Sequence, residues 1–280
     1  MTAPSPSATA HRVALRRAAH QLLDDPRVFD DPLALAMIGG EQAGKLETLM
    51  PETTGSRRLR AFVVARSRYA EDRLAAAVAR GATQYVVLGA GLDTYACRNP
   101  HPRLRVFEVD HPLTQALKRT RLEAAGIAWP SSLNFVPTDF EHQTLASALQ
   151  TAGFQKDEIT FFSWLGVMPY LTEQAAMATL AFIGSMPAGS EAVFDYAVER
   201  SSLCVNEQLA MDALASRVAR AGEPFRLLID PRALRGMLRA AGFHTVEDLG
   251  PVEIDRMYFE GRTDGLRIDA GLWHLVSVQV

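Results

Sequence analysis

Cysteine is scarce in this chain: two residues, Cys97 and Cys204, among 280. Two thiols cannot form a disulfide framework, and with no Cys or His at ligand spacing beside them they do not point to zinc; no metal is expected, and a reducing compartment fits best. Long apolar runs are also missing. No stretch approaches the ~18 uninterrupted apolar residues of a membrane span, and the opening MTAPSPSATAHRVALRRAAH lacks the continuous apolar region of a secretory signal. Its Arg, Ser and Thr could pass for an organelle transit peptide but equally for a frayed terminus. Charge of one sign is lacking as well: 29 Lys and Arg face 32 Asp and Glu, a formal net charge of −3. Such a balance gives no field suited to phosphate backbones or anionic lipid, so neither nucleic acid nor a membrane is an expected partner, and the expected location is cytoplasmic. With 48% hydrophobic and 22% charged residues, only 19 Gly and 15 Pro, and a length within reach of one large α/β domain, the chain reads as globular and able to bury a sizeable core.

From about Thr9 to Arg80 the apolar period is helical, with Val13, Leu15, Ala18 and Leu22 on one stripe and Phe62, Ala65, Tyr69 and Leu74 on another. The Asp25-Pro26 and Asp31-Pro32 pairs cut this region, because the residue before proline is pushed out of the α region. The period then shortens. Strands are expected at Gln84–Leu88, Leu104–Val109, Leu133–Val136, Ile159–Leu165 and Glu191–Tyr196, each followed by a helix-like segment. Thr172 is placed to cap one of those helices. Strands that alternate with helices and are almost wholly apolar predict a parallel sheet covered on both faces. Beyond it lie a mostly polar helical stretch from Ala197 to Gly222, an amphipathic helix from Pro231 to Gly242, and two closing strands, Thr245–Leu249 and Trp273–Val280, with little helix between them. Seven strands with such a late pair predict one open sheet with an antiparallel edge strand. The chain divides accordingly into residues 1–80, a helical preface; 81–196, the core; 197–230, a lid insertion; and 231–280, the closing strands, all within a single domain.

Leu88-Gly-Ala-Gly-Leu-Asp-Thr94 falls where the first strand meets its first helix, the place where open α/β sheets bind ligands. Gly89 and Gly91 let backbone approach a ligand closely. The third glycine of a dinucleotide fingerprint is replaced by Thr94. About 20 residues on, Glu108 and Asp110 end the second strand, where a carboxylate can accept both hydroxyls of a ribose; Asp110 could instead cap the following helix beside Pro112. Asp139 and Phe140 end the third strand, suited to an adenine amine and an adenine face, or to a cap and a core aromatic.

These segments, together with Ala65-Arg-Ser-Arg-Tyr69, Phe107-Glu-Val-Asp-His-Pro112 and Gly166-Val-Met-Pro-Tyr-Leu171, resemble the leucine carboxyl methyltransferase family, including its bacterial S-adenosylmethionine-dependent O-methyltransferases. The resemblance runs from about Arg12 to the C-terminus and is strongest over residues 66–171. It implies a Rossmann-like class I methyltransferase sheet of seven strands with a helical N-terminal extension and a helical lid. It also implies S-adenosylmethionine as cofactor, with Arg66 on the methionine carboxylate, Gly89 and Gly91 against the methionine and ribose, Asp110 on the ribose, and Asp139 and Phe140 on the adenine. From its residues alone, Arg66 reads as a solvated helix position beside Arg68 and Arg73. Two departures stand out. Leu165 occupies a position where many relatives carry an acid, and Tyr95 and Cys97 stand where arginine and tyrosine are more common, so the substrate that the resemblance would otherwise imply, the tail of a protein phosphatase, is not carried over.

The reaction so implied is displacement at an already electrophilic methyl group, for which the protein supplies alignment. A carboxylate acceptor needs no general base, whereas a hydroxyl benefits from one; His111 and Tyr170, which follow strand ends, are the candidates. Arg200 and Arg226 flank the insertion and are candidates for holding an anionic acceptor or for solvated surface positions. The acceptor is expected to be a small molecule enclosed by preface and insertion; oligomeric state is not legible. Two other readings compete: a nicotinamide-dependent oxidoreductase, which lacks its third glycine and an evident catalytic constellation, and a degenerate non-catalytic nucleotide-binding module, which Leu165 keeps in play.

Overall fold

Helix breaks and caps divide the region before the sheet. A computed structural model describes residues 7–138, 143–268 and 270–280. The first helix, α1 (Ala8–Leu23), starts where the Ser7 hydroxyl accepts from the amide of Ala10, and it ends at Asp24, whose backbone is extended, next to the first Asp-Pro pair. Three short helices follow, α2 (Ala34–Ile38), α3 (Gly40–Ala43) and α4 (Leu46–Leu49), and then the long α5 (Thr54–Ala79), capped by Thr53. Phe62, Ala65, Tyr69 and Leu74 are all buried, as their helical spacing predicts, whereas Leu22 in the last turn of α1 is exposed.

The sheet is built from β1 (Gln84–Leu88), β2 (Arg105–Asp110), β3 (Leu133–Pro137), β4 (Thr160–Trp164), β5 (Glu191–Ala197), β6 (Thr245–Leu249) and β7 (Trp273–Gln279). Between them run α6 (Tyr95–Arg98), α7 (Pro112–Ala124), α8 (Leu145–Thr151), α9 (Glu173–Gly184), α10 (Val205–Arg220), α11 (Pro231–Ala240) and α12 (Pro251–Tyr258). Spatial order is β3-β2-β1-β4-β5-β7-β6, and every neighbouring pair from β3 to β5 is parallel. β1 is buried along its whole length, and its alternate residues enter two different cores. Val86 and Leu88 pack with Leu149, Leu180 and Leu238 from α8, α9 and α11, while Tyr85 and Val87 pack with residues of α5 and α12 on the opposite face. The two-residue pleat of a strand thus fills both layers at once. The helices before β1 also pack into this body: Leu15, Ala18 and Met37 form a third cluster with Leu92 and Leu122.

Three expectations need correction. β7 is the antiparallel strand, but it lies between β5 and β6 and is not the edge. Its central residues Leu275 to Ser277 are buried, whereas β6 is mostly half-exposed, as suits a strand with only one neighbour. The closing pair is also joined through an eight-residue helix, α12, which buries Ile254. Finally, the connection after β1 holds only the single-turn α6, because a long turn consumes residues 89–94. Among the described residues, no helix is long and apolar enough to cross a membrane.

Candidate active site

A cavity of about 630 Å3 opens beyond the carboxyl ends of β1, β2 and β4, where the chain leaves β1 in both directions across the sheet. The glycine turn forms its floor. Gly89 and Gly91 have φ of +68° and +52°, and a Cβ on Gly89 would lie 2.3 Å from Val167 Cγ2, so both the backbone and the packing require glycine there. Asp110, at the tip of β2, lines the same cavity. Its two oxygens each accept one backbone N–H, Oδ2 from Gly91 at 2.5 Å and Oδ1 from His111 at 2.6 Å. Burial raises its pKa above the usual carboxylate value, and those two amide donors work against the rise. A carboxylate has about four lone-pair positions, so about two are not taken by these amides. Glu108, its companion at the end of β2, belongs elsewhere: it is buried in an ion pair with Lys118 at 2.5 Å.

Arg66 projects from α5 into the cavity and is 6% exposed, which removes the solvated alternative for it. Its Nη1 donates to Asp195 Oδ2 at 2.9 Å, and Asp195 Oδ1 accepts from the amide of Gly166 at 2.6 Å. The buried Asp195, at the end of β5, therefore places a carboxylate next to the segment in which Leu165 replaces an acid. Arg66 has further N–H donors that this single pair does not use. Thr94 has its own partners: its hydroxyl donates to Asp31 at 2.8 Å and accepts from Arg17 at 3.1 Å. Arg17, buried in α1, also donates to Asp93 at 2.6 Å and to Asp31 at 2.7 Å. Burial alone would raise the Asp93 pKa, but the charges of Arg17, Lys118 and Arg98 outweigh it and hold the group at about 2. Thr94 thus clamps the preface to the glycine turn, a job a third glycine could not do.

Of the residues considered for proton transfer, His111 is exposed and is the N-cap of α7, its Nδ1 accepting from the amide of Leu113 at 3.3 Å. The helix is capped by His111 and not by Asp110. In this arrangement the Nδ1 lone pair is engaged and Nε2 carries the proton. Tyr170 lines the cavity, half-buried, with its ring 5.5 Å from that of Phe225; burial raises its phenol pKa, against a hydrogen bond with Thr9. Asp139 and Phe140 lie outside the described residues. Arg226 lines the cavity, whereas Arg200 is exposed and pairs with Asp212 at 3.1 Å.

The cover comes from two distant parts of the chain. Glu223, just after α10, accepts from the Ser7 hydroxyl at 2.8 Å and from the amide and hydroxyl of Thr9, the amide at 2.9 Å. A carboxylate at the first turn of α1 is favoured by the helix dipole. Ala10, in that turn, sits directly over Gly91. Arg17, Asp93, Asp195 and Glu223 were not singled out by sequence reasoning.

Residues 10–184 match the profile of a family described as Leucine carboxyl methyltransferase. The chain belongs to the leucine carboxyl methyltransferase family. Among its relatives, YktD of Bacillus subtilis (strain 168), named as a candidate S-adenosyl-L-methionine-dependent methyltransferase, is 33% identical over 278 residues, covering 90% of this chain and 91% of that protein. A Saccharopolyspora erythraea protein named for the same activity is 36% identical over 208 residues, covering 70% and 69%. The family's fold also recurs at low identity. A candidate methyltransferase from Thermobifida fusca superposes with a TM-score of 0.58 at 15% identity over 98% of this chain and 95% of that one. A Streptomyces avermitilis protein of the duf574 family gives 0.54 at 14% identity over 95% and 96%.

Proposed function

We propose that the protein is an S-adenosylmethionine-dependent methyltransferase that methylates oxygen on a small molecule held between the preface and the 197–230 insertion. Family membership and the names of the relatives support the cofactor, and the cavity's residues suit it. Asp110 retains two acceptor positions for the ribose hydroxyls, Arg66 retains donors for a carboxylate, and the backbone at Gly89 and Gly91 leaves room for close approach. A volume of about 630 Å3 is in the range of small-molecule sites. Asp139 and Phe140 complete the proposed set at the adenine. When bound, the cofactor supplies a sulfonium methyl: the acceptor oxygen forms the new C–O bond as the S–C bond breaks, and that electron pair returns to sulfur.

The observation that carries the reading is Asp110, held at the tip of β2 by two amides and lining the cavity with acceptor positions to spare. This chain's contribution to the reaction is positioning and exclusion of water. Glu223 closes α1 over the turn, and Tyr170, a phenol that stays protonated at neutral pH, can donate to an acceptor oxygen. His111, with Nδ1 occupied, offers no prepared lone pair. Both points favour an acceptor that is already ionised, a carboxylate, over a hydroxyl that must lose a proton. Labelled S-adenosylmethionine incubated with cell extract and the protein should give a base-labile methyl ester. Label in nucleic acid, or held stably on nitrogen, would refute O-methylation. With a carboxylate acceptor, Tyr170→Phe and His111→Ala each lower turnover modestly; with a hydroxyl acceptor one of them costs about 10²–10⁴-fold.

A further inference from the structure

A second chamber of about 400 Å3 lies between α1, the start of α5, α10 and the segment entering β7. A small cavity of about 70 Å3 joins it to the first. This neck shares Thr9, Val13, Arg66 and Tyr170 with the cofactor cavity, and Arg12, Arg16, Phe62, Leu214, Arg217 and Trp273 with the chamber. The walls are largely apolar and aromatic. Phe62 stacks on Trp273 with ring centres 5.9 Å apart, Phe225 meets Trp273 edge-on at 5.7 Å, and Tyr170 continues the row beside Phe225.

Against this apolar lining stand arginines, of which three are common to neck and chamber. Arg12, Arg16 and Arg217 line both neck and chamber, and none of them forms an ion pair among the described residues. Arg16 donates through Nη1 to the carbonyl of Arg12, while its Nε is buried without a partner, as is Trp273 Nε1. Burial, followed by the charges of Arg217, Arg12 and Arg66, pushes the Arg16 pKa down to about 10. Like charges gathered beside apolar walls, with buried donors unsatisfied, are an arrangement that an anion would relieve.

We infer that this chamber seats the methyl acceptor, and that the acceptor is an aromatic carboxylic acid, its ring system against Phe62 and Trp273 and its carboxylate held at the neck by Arg12, Arg16 and Arg217. The inference rests on the methyl-transfer reading, since it is that reading which makes the chamber an acceptor site. It selects a planar acid because flat aromatic walls and forked guanidinium donors recognise rings and carboxylates respectively. The neck shares Arg66 and Tyr170 with the cofactor cavity, so a carboxylate held there is the end presented for methylation.

The test is calorimetric titration of the full chain with 2-naphthoate and, separately, with the neutral 2-naphthamide. The acid should bind at least about tenfold more tightly than the amide, the difference expected for charge-assisted hydrogen bonds. Arg16→Met should abolish that preference and Arg217→Gln should reduce it, with amide binding unchanged in both. Arg217 is exposed on α10, so its variant carries the test if Arg16→Met does not fold. Equal binding of acid and amide, no binding of the acid, or an undiminished preference in the folded variants would overturn the assignment. Binding of S-adenosylhomocysteine is measured in parallel. Its absence in the wild type would sink the transferase reading, while its presence without naphthoate binding would sink only the acceptor assignment.

Discussion

Asp110 shows how much one side chain can hold. Its carboxylate fixes the glycine turn through Gly91, fixes the start of α7 through His111, and is left with acceptor positions for a ribose. Replacing it with alanine removes a charged acceptor, a loss of roughly 1.5–3 kcal/mol, so the S-adenosylhomocysteine dissociation constant measured by calorimetry should rise about 10- to 150-fold. An unchanged constant in the folded Asp110→Ala variant would contradict the assignment. Asp93 makes a prediction in pH. Its folded pKa of about 2 lies below the unfolded value of about 3.9, so the stability it contributes is fully present above the unfolded pKa and disappears as pH falls through the folded one. That contribution is roughly 2–3 kcal/mol. In urea unfolding, Asp93→Asn should be less stable than wild type by about that amount at pH 6, and the gap should close between about pH 4 and pH 2. At this scale the sequence was only half legible. Gly89, Gly91 and Asp110 could be found because turn and strand-end positions are local signals, whereas Arg66, inside α5, came only from the family resemblance. Arg17 with Asp93, Arg66 with Asp195, and Glu223 with Thr9 are 76, 129 and 214 residues apart, and no spacing rule joins them.

Elements were more legible than partners, because strands buried on both faces carry continuous apolar runs that need no tertiary knowledge to recognise. β1 begins and ends where its β-branched run does, and Thr172 caps α9 through the amide of Ala175. The failures have a common cause. Placing β7 inside the sheet depends on which strand it pairs with, and α12 is a short helix whose only buried residue is Ile254, too little for a periodic stripe. Close packing between elements is equally invisible. Gly184, at the end of α9, lies so near α11 that a Cβ would sit 1.8 Å from the carbonyl oxygen of Ala241. That neighbour is backbone and cannot swing aside, so Gly184→Ala must push two helices apart. Overpacking of this kind costs roughly 1–3 kcal/mol, which should appear as a lower urea midpoint. S-adenosylhomocysteine affinity should be retained, since this contact lies outside the lining of the cavity. A midpoint equal to wild type would mean the helices separate without cost.

For the whole molecule, the consequential feature is that the cover over the cavity joins the first described residues of the chain to a loop more than 200 positions later. One carboxylate, Glu223, receives the Ser7 hydroxyl and both the amide and hydroxyl of Thr9, and Thr9 in turn meets Tyr170. Of the leading amides of α1, that of Thr9 is held by Glu223 and that of Ala10 by the Ser7 hydroxyl, which itself donates to Glu223, whereas the later turns are buried with Ala14, Leu15 and Ala18. Glu223→Ala should therefore loosen the cover locally and leave the sheet intact. Hydrogen exchange should show the amides of residues 8–12 losing about tenfold or more in protection, the loss expected for charge-assisted bonds, while those of β1 and β2 keep theirs. Release of S-adenosylhomocysteine, followed by stopped flow, should quicken, because Ala10 rests on Gly91 at the cavity floor and moves with that turn. If protection at residues 8–12 falls and release does not change, the first turn of α1 is a bystander and the gate lies elsewhere. If both change together, closure is an equilibrium set by Glu223, and the ligand's residence depends on an ion-dipole contact between two distant parts of the chain, and not on the turn beneath it.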